Sequence, residues 1–455
     1  MSVNPLLSGI RVLDLSRLLP GPFCTLYLAQ MGAEVIKIEE PEGGDYARGM
    51  GELFALVNRG KKSVTLDLRR EPDRAQLREL VKTADVLIES FRPGVMERFD
   101  CGYESLKQIN PKLVYAALTG YGQTGPYRDW AGHDMNYLAI AGVMDQIGRA
   151  GGAPAQSNLQ IADLAGGALT CALGILAAVI GARASGRGSY VDVSMTDGAL
   201  ALQPIALAAL RAEGRAPVRG AALLTGALPN YTVYRCRDGR YLAVGALEPK
   251  FFIGLLKVLG DTAPAPLQRI LRQALGKRGG ATTSADGKTK SADKDPFGKL
   301  GRVMADPRRA RRVLAPLRWA LQALFLTRTR DDWSAMLAAR DVCVTPILSL
   351  DEALQNEQLR ARGMIEEVDG KPAFALPILF SDQPAAVGPA PALGADTREV
   401  LAALKKPAKP AVAKKKAATK KIVAKQAATK KVTKKVTKKT LRKKPAAAPA
   451  RKRRR

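Results

Sequence analysis

The sequence predicts an α/β protein: a large domain on a doubly wound parallel sheet, then a smaller α+β domain and a disordered basic C-terminal tail. Three observations carry that expectation. Short β-type runs alternate with helical ones from Gly9 to Met195. Beyond Thr225 the alternation gives way to a hairpin pattern, and from Ala395 onward the chain passes into low-complexity sequence. With 46% hydrophobic residues over 455 positions, a sizeable core can be buried.

Taken in order, "GIRVLDLS" reads as the first strand, Pro22 to Met31 as a helix and "AEVIKIEE" as the second strand, a β-α-β unit. "SVTLDL", a helical "DRAQLRELVKTA" and "DVLIES" repeat the unit, and "LVYAALTG" adds another strand. The first strand-to-helix turn, "SRLLPGPF", lacks the G-x-G-x-x-G fingerprint, which removes the main support for an NAD-binding reading. Leu164 to Ala182 carries no charge, but its Ala and Gly content predicts a fully buried helix rather than a membrane span. No transmembrane segment is expected. "GSYVDVSM" is again a strand, "DGALALQPIALAALRA" is helical, and "YTVYRCRDGRYLAVGAL" is a hairpin around an Asp-Gly turn.

The expected organisation is therefore a large domain over residues 1–224 and a small domain over 225–350. A polar, Gly-rich insertion at about 275–300 is expected to be mobile. Residues 351–395 should return to the large domain, and 396–455 form the tail.

Charge separates the tail from the body. The net charge is +30, and residues 401–455 hold 23 Lys or Arg with no Asp or Glu, which leaves +7 for residues 1–400. The tail repeats itself, with "AATKK" at Ala417 and Ala427 and "VTKK" at Val432 and Val436. It resembles the lysine-rich tails of linker histones and bacterial histone-like proteins. Having no aromatic residue, it can neither build a core nor stack on bases. It suits sequence-independent binding of a polyanion, DNA first, with RNA, polyphosphate or an anionic membrane surface as alternatives, or a solubility role without a partner.

The five cysteines (Cys24, Cys101, Cys171, Cys236, Cys343) lack CxxC spacing, and the chain has one histidine, so neither a zinc site nor a disulfide framework is expected. That usage suits a reducing compartment, the cytoplasm. The N-terminal apolar residues are interrupted by Arg11, Asp14 and Arg17, unlike a signal peptide.

The single histidine is His133, in "AGHDMNYLAI". Imidazole suits proton transfer near neutral pH. On this stretch alone a loop or core histidine satisfying its own hydrogen bonds is the more ordinary reading. Asp163, at or near the start of the apolar helix, can serve as an N-cap, and the helix terminus could also hold an oxyanion. Glu248, before a proline in "GALEPKFF", reads alone as a solvated loop residue.

Together the motifs carry a resemblance. "PGPFCTLYLAQMGAEVIKIEEP", "VTLDLR", "DVLIESFRPGVMERF", "LTGYGQTGP", "GHDMNY", "IADLAGG" and "GALEPKFF" occur in the order seen in the family III CoA-transferase superfamily (CaiB/BaiF type). The likeness runs from about Leu7 to Pro389. "GHDMNY" makes the chain look like the α-methylacyl-CoA racemase branch, since the transferases lack this histidine motif. By that resemblance His133 is the catalytic histidine, Glu248 the acid that pairs with it, and Asp163 the carboxylate on the opposite face of the substrate. Leu66, Asp67, Leu68 and Arg69, with Arg92 and Arg98, match positions at the nucleotide end of CoA. Gly132, Asp134, Met135, Asn136 and Tyr137 match the loop against the thioester. Racemases commonly place an arginine where this chain has Glu40, and Lys37 or Arg48 could replace it.

The resemblance implies an acyl-CoA substrate and no metal or cofactor beyond the CoA of that substrate. It also implies an interlocked homodimer and inversion of a 2-methyl-branched acyl-CoA by 1,1-proton transfer, in lipid metabolism. Inversion α to a thioester needs a base on one face and an acid on the other, which the trio would supply. In that company the lone histidine reads as catalytic. Two rivals stand beside this: a family III CoA-transferase with Asp163 as nucleophile, and a nucleic-acid-binding protein acting through its tail.

Overall fold

The computed structural model describes residues 6–269, 312–381 and 387–404. Six strands form one parallel sheet: β1 (Arg11–Asp14), β2 (Glu34–Glu39), β3 (Lys62–Thr65), β4 (Val86–Glu89), β5 (Val114–Thr119) and β6 (Tyr190–Ser194). Their order is β3-β2-β1-β4-β5-β6, so the winding reverses between β1 and β4. Every neighbouring pair is parallel. This is the doubly wound sheet that the alternating sequence predicts. Buried on both faces, β4 and β5 have no exposed position, which is why Val86–Ile88 and Val114–Leu118 read as apolar runs without alternation.

Crossover helices cover the sheet: α1 (Pro20–Gln30), the short α2 (Glu52–Val57), α3 (Glu71–Val81), α4 (Val95–Arg98), α5 (Tyr103–Ile109) and α6 (Asp134–Ile140). Proline in the first turn starts α1, where its missing N–H costs no helical bond. A π-helical stretch, Ala162–Leu169, runs directly into α7 (Thr170–Ser185). The helix expected to be fully buried here is only half so. Cys171, Ile175 and Val179 face the core with Val12, Val114 and Leu118, while Leu169, Leu173 and Ile180 are exposed. It is the one described helix long and apolar enough to cross a membrane, but its inner face is part of the sheet's core.

The π-helical start lies tight against α8 (Met195–Ala201), which leads into α9 (Pro204–Glu213). A Cβ on Gly198 would fall 2.0 Å from the Gly166 carbonyl oxygen, so glycine here is a condition of the approach that positions Asp163.

The hairpin follows as β7 (Tyr231–Arg235) and β8 (Tyr241–Gly245), antiparallel, with Gly239 of the Asp-Gly turn at φ +81°. A third strand, β9 (Val344–Pro346), joins β8. Helix α10 (Pro249–Thr262) and the helices Ala315–Phe325 and Arg330–Leu337 enclose a second core of Tyr234, Leu242, Leu255, Leu321, Phe325 and Trp333. The Trp333 indole N–H donates to the Phe325 carbonyl at 3.0 Å, so its one polar atom is satisfied. The insertion expected at 275–300 lies outside the described residues.

After β9 the chain forms a hairpin, β10 (Ile365–Val368) with β11 (Lys371–Phe374), and comes back to the parallel sheet. Arg59 pairs with Glu366 at 2.9 Å, and the Asp396 carboxylate accepts from the Ser63 amide at 2.8 Å. The tail begins later than the expected residue 396. Thr397–Leu404 is helical, and the Thr397 hydroxyl accepts from the Thr65 amide at 3.0 Å. Residues 405–455, the rest of the tail, lie outside the described residues.

Candidate active site

The loops that leave the carboxyl ends of β1, β2, β3, β4 and β5 surround two neighbouring clefts, where an open α/β sheet places its ligands. The larger, about 700 Å³, is lined by Arg17, Tyr46, Arg92, Tyr121, Arg128, Trp130, His133, Asn136 and Asp163, among others. The smaller, about 270 Å³, is lined by Leu15, Ile38, Glu40, Leu66, Asp67, Leu68, Arg69, Val95 and Phe99. Arg17 and Phe91 line both.

His133 immediately precedes α6 in extended conformation, and its amide donates to Asn136 Oδ1 at 3.0 Å. This bond fixes the backbone and leaves the exposed imidazole to face the cleft. The next residue turns back to the other candidate: Asp134 Oδ1 accepts from the Asp163 amide at 3.0 Å. Asp163, in the first turn of the π-helical stretch, thus stands on the same cleft as His133 although 30 positions separate them. Burial raises the Asp163 carboxyl, the Asp134 charge adds to that, and together they bring it to about 7. A carboxyl poised near neutrality can give or take a proton.

Tyr137 closes the floor. Its hydroxyl donates to the Gly132 carbonyl, and its ring packs so tightly that a Cβ on Gly132 would come within 2.7 Å of it. Burial, with the Asp163 charge beside it, pushes the phenol well above its usual range, so Tyr137 stays protonated. Tyr121 meets the Tyr137 ring edge-on at 5.2 Å, and Tyr127 stacks on Trp130 at 4.0 Å, which gives the cleft an aromatic wall.

Of the residues expected at CoA, Leu66, Asp67, Leu68 and Arg69 line the small cleft, and Arg92, Gly132, Asn136 and Tyr137 the large one. Asp134 supports Asp163 from behind. Arg98 is exposed at the end of α4, and Met135 is exposed beside Gln156; neither lines a cleft. Glu248 does not join His133 within this chain. It precedes α10, its carbonyl accepts from the Phe251 and Phe252 amides, and its charge is felt at Cys343. No hydrogen bond or ion pair among the described residues links Glu248 to His133.

The two expected substitutes for an arginine at position 40 are both engaged elsewhere. Lys37 is fully buried, 2.9 Å from Asp45 and donating to the Ser16 carbonyl at 2.8 Å. Arg48 grips Glu39 through two 2.7 Å hydrogen bonds. Residues unmarked as candidates by the sequence reading, above all Arg17, Phe91, Tyr46, Arg128 and Trp130, line the large cleft instead.

A parallel sheet with two titratable groups facing one ligand-sized cleft at its carboxyl edge is the architecture of an α/β enzyme. The family model for CoA-transferase family III matches residues 7–278 and 289–397, and the chain belongs to that family. It is 34% identical over 398 residues to the human α-methylacyl-CoA racemase, covering 87% of this chain and 92% of that one. It is 33% identical over 424 residues to the succinate–glutarate CoA-transferase of Agrobacterium fabrum, covering 88% and 96%. Among solved structures, a CaiB/BaiF family protein from Brucella suis superposes with a TM-score of 0.70 at 31% identity, covering 89% of this chain and all of the other.

Proposed function

We propose that this protein inverts the α-carbon of a 2-methyl-branched acyl-CoA thioester by two-base proton transfer between His133 and Asp163. The observation that carries the reading is the placement of both groups on one cleft, with the Asp163 carboxyl held near 7. One group removes the α-proton, and the C–H electron pair moves into the thioester enolate. The other group then protonates the opposite face, and the electron pair returns to a C–H bond. The enzyme ends with its proton on the other base. Nothing is oxidised, and no acyl acceptor is consumed.

The interlocked homodimer belongs to this proposal, because Glu248 is not beside His133 in one chain; a second copy is the natural source of that carboxylate. The rival, acyl or CoA transfer through an Asp163 adduct, has transferases among the relatives in its favour. Against it stands His133 on the same cleft, a proton-transfer group that transfer through an Asp163 adduct does not require. Incubation with one enantiomer of a 2-methylacyl-CoA in D2O should give inverted product carrying deuterium at the α-carbon. Transfer to an added free acid, with a hydroxylamine-sensitive adduct on Asp163 and no α-deuterium, would select the transferase instead.

For residues 401–455 we propose attachment to a polyanion, DNA first, on composition alone: 23 cationic and no acidic side chains. If about eight phosphates are neutralised, affinity should fall with salt at a log–log slope near −7. Because Thr397–Leu404 is a helix whose first residue bonds to the β3 edge, the cut that tests this follows Leu404. That truncation should abolish DNA binding and leave racemisation unchanged. DNA affinity that survives it would remove the tail from the assignment.

A further inference from the structure

Arg17 sits where the two clefts meet, the single cation among the described residues that lines both. Its backbone is fixed from three sides. The Arg17 amide donates to Ser90 Oγ at 3.0 Å, and the Leu18 amide donates to Asp45 Oδ1 at 2.9 Å. Lys37 holds the Ser16 carbonyl at 2.8 Å. Leu18 itself is at φ +64°, a conformation unfavourable for leucine that this bonding sustains. A strained turn held this firmly presents its neighbouring side chain in one direction.

The head group is similarly aimed. The guanidinium lies 5.2 Å from the Tyr46 ring centre and 5.1 Å from that of Phe91, and it donates to the Tyr46 hydroxyl at 3.1 Å. Its nearest anion is Glu40, at 3.9 Å, outside hydrogen-bond range. Glu40 is committed to Arg69 on its other side, at 2.7 Å. Arg17 keeps about 29% of its side chain exposed, and Glu40 meets its charge only at 3.9 Å, without a hydrogen bond.

The clefts differ in character as the two ends of an acyl-CoA differ. The small one presents Leu15, Ile38, Leu66, Phe91 and Phe99, a largely apolar slot suited to a planar base. The large one holds the proton-transfer groups. Between the base and the thioester of CoA stands a diphosphate. The geometry points to Arg17 as the residue that grips this diphosphate, a further determinant of CoA-ester binding that takes up the work of the absent arginine at position 40. Glu40 opposes it by competing for Arg17 and Arg69. The assignment rests on the reading that this cleft takes a CoA thioester.

A planar guanidinium can bind two phosphate oxygens at once, and charge-assisted bonds of this kind carry roughly tenfold to a hundredfold in affinity. Two substitutions of opposite sign test it by titration calorimetry with free CoA and with pantetheine, which lacks the nucleotide and its phosphates. Arg17→Gln should raise the Kd for CoA by about 10- to 100-fold and leave that for pantetheine within about twofold, with Arg17→Lys between. Glu40→Gln should lower the Kd for CoA. If Arg17→Gln leaves CoA affinity intact, or weakens CoA and pantetheine alike, the assignment is overturned. Wild-type protein that binds CoA and inverts no α-carbon sinks the racemase reading alone, since the paired Kd values still decide the role of Arg17. Wild-type protein that does not bind CoA overturns both.

Discussion

His133→Ala should lower racemisation by about 10²–10⁴, the usual loss on removing a general acid–base group, while CoA binding stays nearly intact. The side chain reaches the cleft from the residue just before α6, and its removal takes away no packing, since the imidazole is exposed and the local backbone is held by Asn136. Asp163→Ala should be as damaging to inversion, but the two losses should divide differently by enantiomer. Each variant keeps one base, so it can still exchange the α-proton of the enantiomer whose hydrogen faces that base. Deuterium uptake without inversion, from opposite enantiomers in the two variants, is the expected pair of results. Near-normal turnover in His133→Ala would return this histidine to an ordinary loop role.

The same arrangement sets a pH dependence. On the proposed two-base reading Asp163 gives its proton in one direction and takes it in the other, so the pH profile of kcat/KM should follow its titration. Asp163, raised to about 7 by burial and then by Asp134, places one limb of that profile near neutrality. Asp134→Asn removes the repelling charge and should move this limb to lower pH. A profile unchanged in Asp134→Asn would remove Asp163 from the titration.

What the sequence discloses here depends on how each feature is encoded. The β1–α1–β2 unit and its repeats are legible because parallel strands buried on both faces leave short apolar runs between helical ones. That same burial hides Lys37: in "EVIKIE" no alternation tells which side chains point to a cleft, and the lysine is sealed beneath one. Arg17 reads as an interruption of an apolar N-terminus. Its place directly after the first strand of a doubly wound sheet is the signal that could have marked it, since that edge is where ligands bind. The helix at Thr397–Leu404 also had a signal, "DTRE", with an acid three residues after Asp396, obscured by the adjoining lysine-rich composition. That Glu248 makes no described bond to His133 has no such signal, because it depends on the tertiary placement of the start of α10 and not on either motif.

The largest expected loss of stability comes from a residue that no sequence motif marks. Lys61→Met should destabilise the protein by about 3–5 kcal/mol, the usual cost of leaving one member of a buried ion pair alone. Lys61 is wholly buried, 3.1 Å from Asp14 Oδ2, and also donates to the Pro22 carbonyl at 2.9 Å, Thr25 Oγ1 at 2.7 Å and Asn58 Oδ1 at 2.8 Å. Burial alone would raise the Asp14 carboxyl, but Lys37 and Lys61 outweigh it and hold it well below the usual carboxylate range. Burial, reinforced by Lys37, lowers the Lys61 ammonium to about 8, and Asp14 opposes that shift. For Asp14 the sign is therefore clear. Its pairing stabilises the fold above the unfolded carboxylate range, and that contribution is lost as pH falls through the depressed folded value. The gap between wild type and Lys61→Met, read as the urea midpoint at unchanged m, should narrow as the pH is lowered below about 4. Replacing Asp14 by leucine in the same chain should recover part of the loss, since a matched apolar pair no longer buries a lone charge. A Lys61→Met protein as stable as wild type at neutral pH would mean that water reaches Asp14. Because Asp14 also accepts from the Ser16 amide at 3.0 Å, the destabilised variant should bind CoA more weakly through the slackened turn that carries Arg17.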